Sequence, residues 1–482
     1  MTLVHLRAMN SENQKPLAFR LRMVHENGTQ ACPLGRQINF QAIRTSGVGG
    51  QALINGKVYH WIDGSCEIPL EPGRYHLELE AGIRFVPLRR RIEVKPGQAA
   101  LRFNLEPCNF RWKDWIQADA RCHSMSPAAA LLEGSAGGLN IVHLLAREFH
   151  PDVNQPADIS GLLEFSGQKS ALNNGICEVY VNTLNSNPVL GSVSILNSHR
   201  IVFPVASCTK EYPYLWSVSD WCSQGHRKNG LVGWVLGDGG IPRLQGEALS
   251  AAILREMDYL EISNSSLGKE GQLAFWYELL NAGVQLPALG ASGKENNSKC
   301  IDSMTTWCKP SGNGSTHTQW LDSARAGDCF IGAGALLEIT KPESKDITFE
   351  GRFFSSVENA FVEWVVNGEV VVSHPISKGE GQVNFSPLGG IGGWLAFRIV
   401  DENHLTFLAH SNPIYFDKAD PCLKATAVEK LLDRLRETSD FVSRSDYGPL
   451  KFKEEILVNI KKASEKLTAG NGDNPQKEKL FS

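Results

Sequence analysis

The residues best suited to chemistry follow the predicted strands in the middle of the chain. Asp119, Arg121 and His123 come after Trp115-Ile116 with i, i+2, i+4 spacing, so their side chains point the same way if this segment is extended. In parallel α/β folds, functional residues collect at the carboxyl ends of the strands. Other polar residues at such positions are Asn182, Thr183, Asn185, His199, Asp238, Glu261, Ser292 and Lys294. We therefore expect a binding or catalytic site on one rim of the predicted sheet.

Each of these residues could also have a purely structural role. Asp119 and Arg121 could form an ion pair that only stabilises the fold, and His123 could be a buried histidine with satisfied hydrogen bonds. His226 stands in the last turn of a predicted helix that ends before Gly230, where a cation complements the helix dipole. The residue types alone leave both interpretations open.

Some glycine-rich segments resemble nucleotide-binding motifs only in part. The segment Gly290-Ala291-Ser292-Gly293-Lys294 lacks the phosphate-loop pattern, because Ala288 and Glu295 stand where Gly and Ser or Thr are needed. There is also no Gly-x-Ser-x-Gly elbow.

Composition narrows the class of protein. The 482 residues carry a formal net charge of -4, which gives no electrostatic basis for binding nucleic acid or an anionic membrane. No apolar run approaches the roughly 18 residues of a membrane span, and the N-terminus does not resemble a secretory signal. The 11 cysteines include no Cys-x-x-Cys pair and favour a reducing, cytoplasmic location.

The flanking parts of the chain are predicted to be β-structure. Tyr75, Leu77 and Leu79 alternate with polar residues, so residues 1–106 are expected to form a β-sandwich. A second β-sandwich is expected over 336–418, where Asn367-Gly368 between two β-rich runs predicts a hairpin. Apolar residues at helical spacing predict a helical tail over 419–470, and residues 471–482 are expected to be disordered.

The middle part, 107–335, alternates short apolar runs with helical segments. Strands are predicted over 176–181, 193–196, 231–236, 259–262 and 286–289, and helices over 217–228, 247–257 and 272–282. Repeated β-then-α units favour a parallel sheet, either open or closed into a barrel. The predicted fold class is therefore α/β with all-β flanking domains.

Several ordered segments resemble the CehA/McbA-type branch of the PHP (polymerase and histidinol phosphatase) metallohydrolase superfamily. The segment Asp119-Ala120-Arg121-Cys122-His123 is similar to the family's Asp-x-His-x-His opening motif, and the segment beginning at His226 is similar to a later one. The resemblance covers most of residues 17–416. Further similar segments are 246–249, 258–262, 276–283, 320–337, 366–370, 394–396 and 410–415. The resemblance implies a distorted β/α (TIM-type) barrel with metal ligands at its C-terminal rim.

The sequence departs from this family where the metal ligands belong. Arg121 replaces the first-motif His, Leu184 and Gly293 stand where carboxylates are expected, and Ser192 stands where a His is expected. The ligands that the resemblance still implies are Asp119, His123, His226 and Glu261, with His199 as an additional candidate. These could hold at most one weakly bound divalent ion such as Zn, Mn or Fe.

The replacements favour a degenerate metallohydrolase homologue with little or no hydrolase activity. Arg121 and Lys294 would supply the missing positive charge at the barrel mouth and bind an anionic small molecule. Two alternatives remain open. The chain could be an active metal-dependent hydrolase of phosphoester or carbamate-like bonds, or a structural interaction protein whose barrel is a relic. The sequence does not decide whether the protein is an enzyme or what its oligomeric state is.

Overall fold

The computed structural model describes most of the chain, with gaps. The described residues are 1–35, 40–41, 47–48, 50–147, 161–208, 215–236, 246–263, 269–340, 348–386, 392–416, 424–445 and 450–469. The candidate Asp238 and the tail 471–482, expected to be disordered, lie outside them.

Strands make up most of the regular structure. Those before residue 107 are β1 Thr2–Asn10, β2 Phe19–His25, β3 Phe40–Gln41, β4 Gly47–Val48, β5 Gln51–Ile54, β6 Lys57–Ile62, β7 Ser65–Leu70, β8 Gly73–Glu80, β9 Leu88–Val94 and β10 Ala100–Leu105. Those of the middle part are β11 Ile116–Cys122, β12 Ile141–Ala146, β13 Leu172–Asn173, β14 Glu178–Asn185, β15 Ser192–Leu196, β16 Leu231–Val235, β17 Tyr259–Ser263, β18 Ala288–Ala291, β19 Thr305–Cys308 and β20 Cys329–Gly332. Those after residue 334 are β21 Ala335–Thr340, β22 Phe349–Ser355, β23 Ala360–Val366, β24 Glu369–Ile376, β25 Gly379–Phe385, β26 Trp394–Asp401, β27 Phe407–Ser411 and β28 Ile414–Tyr415.

The helices lie in the middle part and the tail. They are α1 Pro127–Ala136, α2 Val218–Arg227, α3 Gly246–Ile253, α4 Lys269–Asn281, α5 Thr316–Ala326, α6 Ala425–Arg444 and α7 Leu450–Ala469. Within the described part of the chain, none of them is long and apolar enough to cross a membrane.

The chain folds into two compact units. Unit 1 comprises 1–182, 290–323 and 332–334, and unit 2 comprises 183–289, 324–331 and 335–482. The expected boundary at residue 106 therefore lies inside unit 1, and the segment 107–335 contributes to both units.

Unit 1 begins with two antiparallel-rich sheets that share one hydrophobic core. One sheet has the order β10-β1-β7 and the other β5-β6-β2-β8-β9. The alternation that predicted strand β8 is confirmed, since Tyr75, Leu77 and Leu79 are buried in this core together with β1 residues such as Leu6. Alternate residues of a strand face one side, so the polar members point away from the core.

The rest of unit 1 carries the first candidate motif. Strand β11 pairs in parallel with β12 and antiparallel with β19. Helix α1 packs tightly on β12, because a Cβ at Gly134 would lie 2.6 Å from Val142 Cγ2. Ser126 caps α1 by accepting a hydrogen bond from the Ala129 amide, and Pro127 occupies the first helical position.

Unit 2 contains α/β structure, but some of its neighbouring strands pair antiparallel where the sequence predicts a parallel sheet. Strands β16 and β17 are parallel, but β15 pairs antiparallel with both β16 and the end of β14. The connection 186–191 is too short for the crossover that a parallel pair requires. Helix α2 matches its prediction, and Gly283 after α4 adopts the left-handed φ of 81° typical of a helix C-cap.

The last part of unit 2 confirms a hairpin and a helical tail. Val366 pairs with Glu369 across a turn in which Asn367 and Gly368 have positive φ, as a two-residue hairpin requires. In α6 the residues Val428, Leu431 and Leu435 are buried, as their spacing predicts. Strands β21, β22 and β25 form a separate three-stranded antiparallel sheet.

Candidate functional site

The Asp119 carboxylate organises the end of strand β11. Its Oδ1 accepts hydrogen bonds from the backbone amides of Arg121 at 3.0 Å and Ser292 at 2.9 Å, and its Oδ2 accepts one from Ser292 Oγ at 2.5 Å. Asp119 is fully buried, so these bonds replace the water that an ionised carboxylate needs. Asp119 and Ser292, two of the polar residues predicted to follow strands, are thus hydrogen-bonded to each other.

The loop that follows β18 forms hydrogen bonds with the end of strand β11, at a point where the pairing of β11 is irregular. The β11–β12 register shifts between Asp119 and Cys122, and the His123 amide then donates to the Lys294 carbonyl at 2.8 Å. Gly293 has a φ of 57°, a left-handed conformation that favours glycine, and its amide donates to the Arg121 carbonyl. Backbone geometry thus accounts for Gly293 at a position where the family resemblance implies an aspartate.

Arg121 and His123 are bonded to each other. Arg121 Nη1 lies 3.0 Å from His123 Nε2, and His123 Nδ1 lies 2.7 Å from the Leu145 carbonyl oxygen. A carbonyl can only accept, so Nδ1 carries the proton and Nε2 accepts from the guanidinium. Burial, followed by the charges of Arg147 and Arg121, holds the pKa of His123 well below its usual value. His123 is therefore neutral at neutral pH.

The residues of this cluster do not fit a metal ion. A histidine binds a metal through a ring nitrogen lone pair, and the His123 Nε2 lone pair already accepts from Arg121. Both Asp119 oxygens also accept hydrogen bonds. Arg121 brings a permanent positive charge where a cation would bind. In the described parts of the chain, no group of three or more His, Cys, Asp or Glu side chains is placed to hold a metal ion.

The Lys294 side chain is buried, and all three hydrogen-bond donors of its ammonium group have partners. Its Nζ lies 3.3 Å from Glu133 Oε2 on α1 and donates to the carbonyl oxygens of Asn296 at 3.0 Å and Lys299 at 2.7 Å. Both charged side chains are buried. An ammonium has three donors, so Lys294 has none left for an anion. The expectation that Lys294 binds an anion beside Arg121 therefore does not agree with its contacts.

The other candidate ligands belong to unit 2. His226 Nε2 lies 3.0 Å from Asp258 Oδ2, and this hydrogen bond raises the pKa of His226. Asp258 Oδ2 also accepts from the Val232 amide, so the pair joins the end of α2 to the start of β16. His199 is exposed, with Nδ1 2.9 Å from the Lys228 carbonyl oxygen. Glu261 is fully buried on β17.

A second histidine cluster in unit 1 was not predicted. His143 on β12 and His317 on α5 are buried with ring centroids 5.3 Å apart, and the His317 ring stacks on Tyr180 at 3.6 Å. Among the described residues, neither His143 ring nitrogen has a hydrogen-bond partner, and the same holds for His317 Nε2. The only sequence signal is one histidine inside the otherwise apolar strand Ile141–Ala146.

Comparison with known proteins gives weak matches. No family model matches the chain, and no curated protein matches it. One similar solved structure is a two-domain protein containing a predicted PHP-like metal-dependent phosphoesterase from Bacteroides vulgatus, at 10% identity and a TM-score of 0.34, with 62% of this chain and 95% of that chain covered. Another is an FMN-binding β-glucuronidase from Facaelibacterium prausnitzii, at 10% identity and a TM-score of 0.17, with 87% of this chain and 74% of that chain covered.

Proposed function

We propose that this protein is a homologue of PHP-type metallohydrolases that has lost the metal chemistry and binds a small anion through Arg121. The observation that carries the proposal is the 3.0 Å contact between Arg121 Nη1 and His123 Nε2. It places a fixed cation on the nitrogen that a metal ion would use. The family assignment itself rests on the motif resemblance around Asp119 and His226.

The remaining groups of the cluster are poorly suited to hydrolysis. Ser292 Oγ donates to Asp119 Oδ2, and no described histidine accepts its proton as a general base would. His123 is neutral, but its Nε2 accepts from Arg121 and its Nδ1 proton is donated to a carbonyl. Neither nitrogen is available to take a proton from water.

Anion binding fits the charge of the cluster better. Arg121 is buried and stays charged at any accessible pH, its neighbour His123 is neutral, and both oxygens of the cluster's carboxylate, Asp119, accept hydrogen bonds from backbone amides and Ser292. The planar donors of a guanidinium match the oxygens of a carboxylate or phosphate. Charge-assisted bonds to such groups contribute roughly 1.5–3 kcal/mol each. We expect the ligand to be a small anion of this kind.

Metal analysis of the purified protein tests the loss of metal chemistry. We expect wild-type protein prepared without chelator to hold well below one divalent ion per chain after dialysis, because Arg121 competes for His123 Nε2. The variant Arg121→His restores the Asp-x-His-x-His pattern and removes the competing charge. It is expected to retain more zinc or manganese than wild type, measured by plasma emission after dialysis against a fixed free-metal concentration.

The matched control for this experiment is Arg121→Met, which removes the charge without adding a ligand. It should gain less metal than Arg121→His if the imidazole matters. Two or more tightly held ions in the wild-type chain would instead support an active metal-dependent hydrolase of phosphoester or carbamate-like bonds. Thermal unfolding of each variant shows whether it is folded.

Calorimetric titration tests the anion site. We expect phosphate, sulfate or a small carboxylate to bind wild-type protein with millimolar to micromolar affinity, and Arg121→Ala to weaken that binding at least tenfold because a charge-assisted donor is lost. Arg102→Ala, at an exposed position on β10, is the control for general loss of positive charge. Equal binding by all three proteins would show that the anion binds at a site other than Arg121, and no binding at all would favour the structural interaction protein.

A further inference from the structure

Unit 2 contains a cavity that the proposed function does not use. Its volume is about 530 Å³, within the range of small-molecule sites. Three segments form its walls. They are the α4 face from Gly271 to Asn281, the hairpin turn Asn367-Gly368, and the segment from Lys424 to Arg434, which includes the first half of α6.

The wall contributed by α6 is strongly basic. Lys430 and Arg434 of α6 line the cavity together with Lys424, which precedes the helix and pairs with Glu369 at 2.8 Å, against one lining carboxylate, Glu278. Lys430 and Arg434 are four residues apart, which places them on one face of the helix. Lys430 is exposed and forms no ion pair with any residue in the described ranges. The lining therefore has a net positive charge.

Arg434 lines the cavity, where its guanidinium could bind either Glu278 or an anionic ligand. Its Nη2 lies 3.2 Å from Glu278 Oε2, and its guanidinium carbon lies 4.9 Å from the Phe275 ring centroid. The cation–π contact orients the guanidinium without using its donors. Glu278 thus neutralises Arg434 and would compete with an anionic ligand for it.

The polar groups on the opposite wall are already engaged. Asn281 Oδ1 accepts from Trp394 Nε1 at 2.9 Å, and Asn281 Nδ2 donates to the Asn367 carbonyl at 3.2 Å. The Tyr277 hydroxyl lies 2.5 Å from His410 Nε2. The polar groups of these residues already have partners, so recognition of a charged ligand must come from Lys430 and Arg434.

We propose that this cavity binds a small organic phosphate, with Lys430 and Arg434 contacting the phosphate group and the ring of Phe275 lying beside the organic part. A planar guanidinium matches the oxygens of a phosphate, and a nearby ammonium adds charge without demanding a fixed geometry. A cavity of this size has room for more than an inorganic ion. This site is separate in sequence and in its residues from the Arg121 cluster.

Isothermal titration of the full chain with adenosine 5′-monophosphate, glucose 6-phosphate and inorganic phosphate tests the proposal at physiological salt. Wild-type protein should bind at least one of the two organic phosphates more tightly than inorganic phosphate. Lys430→Ala should weaken this binding about tenfold, as the loss of one charge-assisted contact predicts. Glu278→Gln should tighten it severalfold, because the carboxylate no longer competes for Arg434.

One control variant distinguishes binding in this cavity from a general loss of positive charge. Lys461→Ala removes an exposed cation of α7 and should leave the affinity unchanged. The proposal is overturned if neither organic phosphate binds, if Lys430→Ala binds as well as Lys461→Ala, or if Glu278→Gln weakens binding. Lys430 is exposed, so its replacement is not expected to affect folding.

Discussion

Replacing Lys294 with methionine is expected to lower the free energy of unfolding by about 3–5 kcal/mol, because it leaves the Glu133 carboxylate buried without its cation. The two side chains are almost completely buried, and no other described residue donates a hydrogen bond to either Glu133 oxygen. Burial already raises the pKa of Glu133. Urea unfolding at neutral pH, followed by tryptophan fluorescence, measures the loss.

A double-mutant cycle distinguishes the ion pair from simple packing. Glu133→Leu combined with Lys294→Met removes both charges, and we expect it to be substantially more stable than Lys294→Met alone. If the two single effects simply add, the two charges do not interact and the ion pair contributes nothing to stability.

Acid is expected to destabilise the protein through its buried neutral histidines. Burial lowers the pKa of His317 to about 3 and that of His410 to about 3, and it holds the pKa values of His123 and His143 well below the usual range. In the unfolded chain these groups titrate near 6.5, so below that pH the unfolded state binds more protons. Their contribution to stability is complete above pH 6.5 and is lost as the pH falls toward 3.

The size of this effect follows from the pKa difference. At pH 5 each such histidine is expected to lower the free energy of unfolding by about 2 kcal/mol relative to pH 7. The unfolding midpoint in urea, measured at pH 7, 6 and 5, should fall steeply, and His317→Phe should reduce the slope. His76→Phe, which replaces an exposed histidine, should leave it unchanged. A slope that is the same in all three proteins would contradict the assignment of His317 as a neutral buried group.

Local patterns in the sequence were sufficient where neighbouring residues determine the structure. The alternation around Leu77 predicts strand β8, the pair Asn367-Gly368 predicts its hairpin, and Ser217 begins the helix predicted after it. Each of these depends on backbone preferences and on burial of one face, which are properties of a few consecutive residues. Asp119 and Ser292 were predicted for the candidate site by a different rule, that functional residues follow the carboxyl ends of strands in α/β folds.

Only the tertiary structure decided what the charged residues do. The sequence predicts that Arg121 and His123 lie on one side of a strand. It does not predict the hydrogen bond between them, because that bond depends on the bulge in β11 and on the Leu145 carbonyl. It likewise suggests Lys294 as an anion ligand, whereas α1 brings Glu133 to it. A charged group inside a protein pairs with whatever long-range packing places nearby, because leaving it unpaired costs more free energy than any local preference supplies.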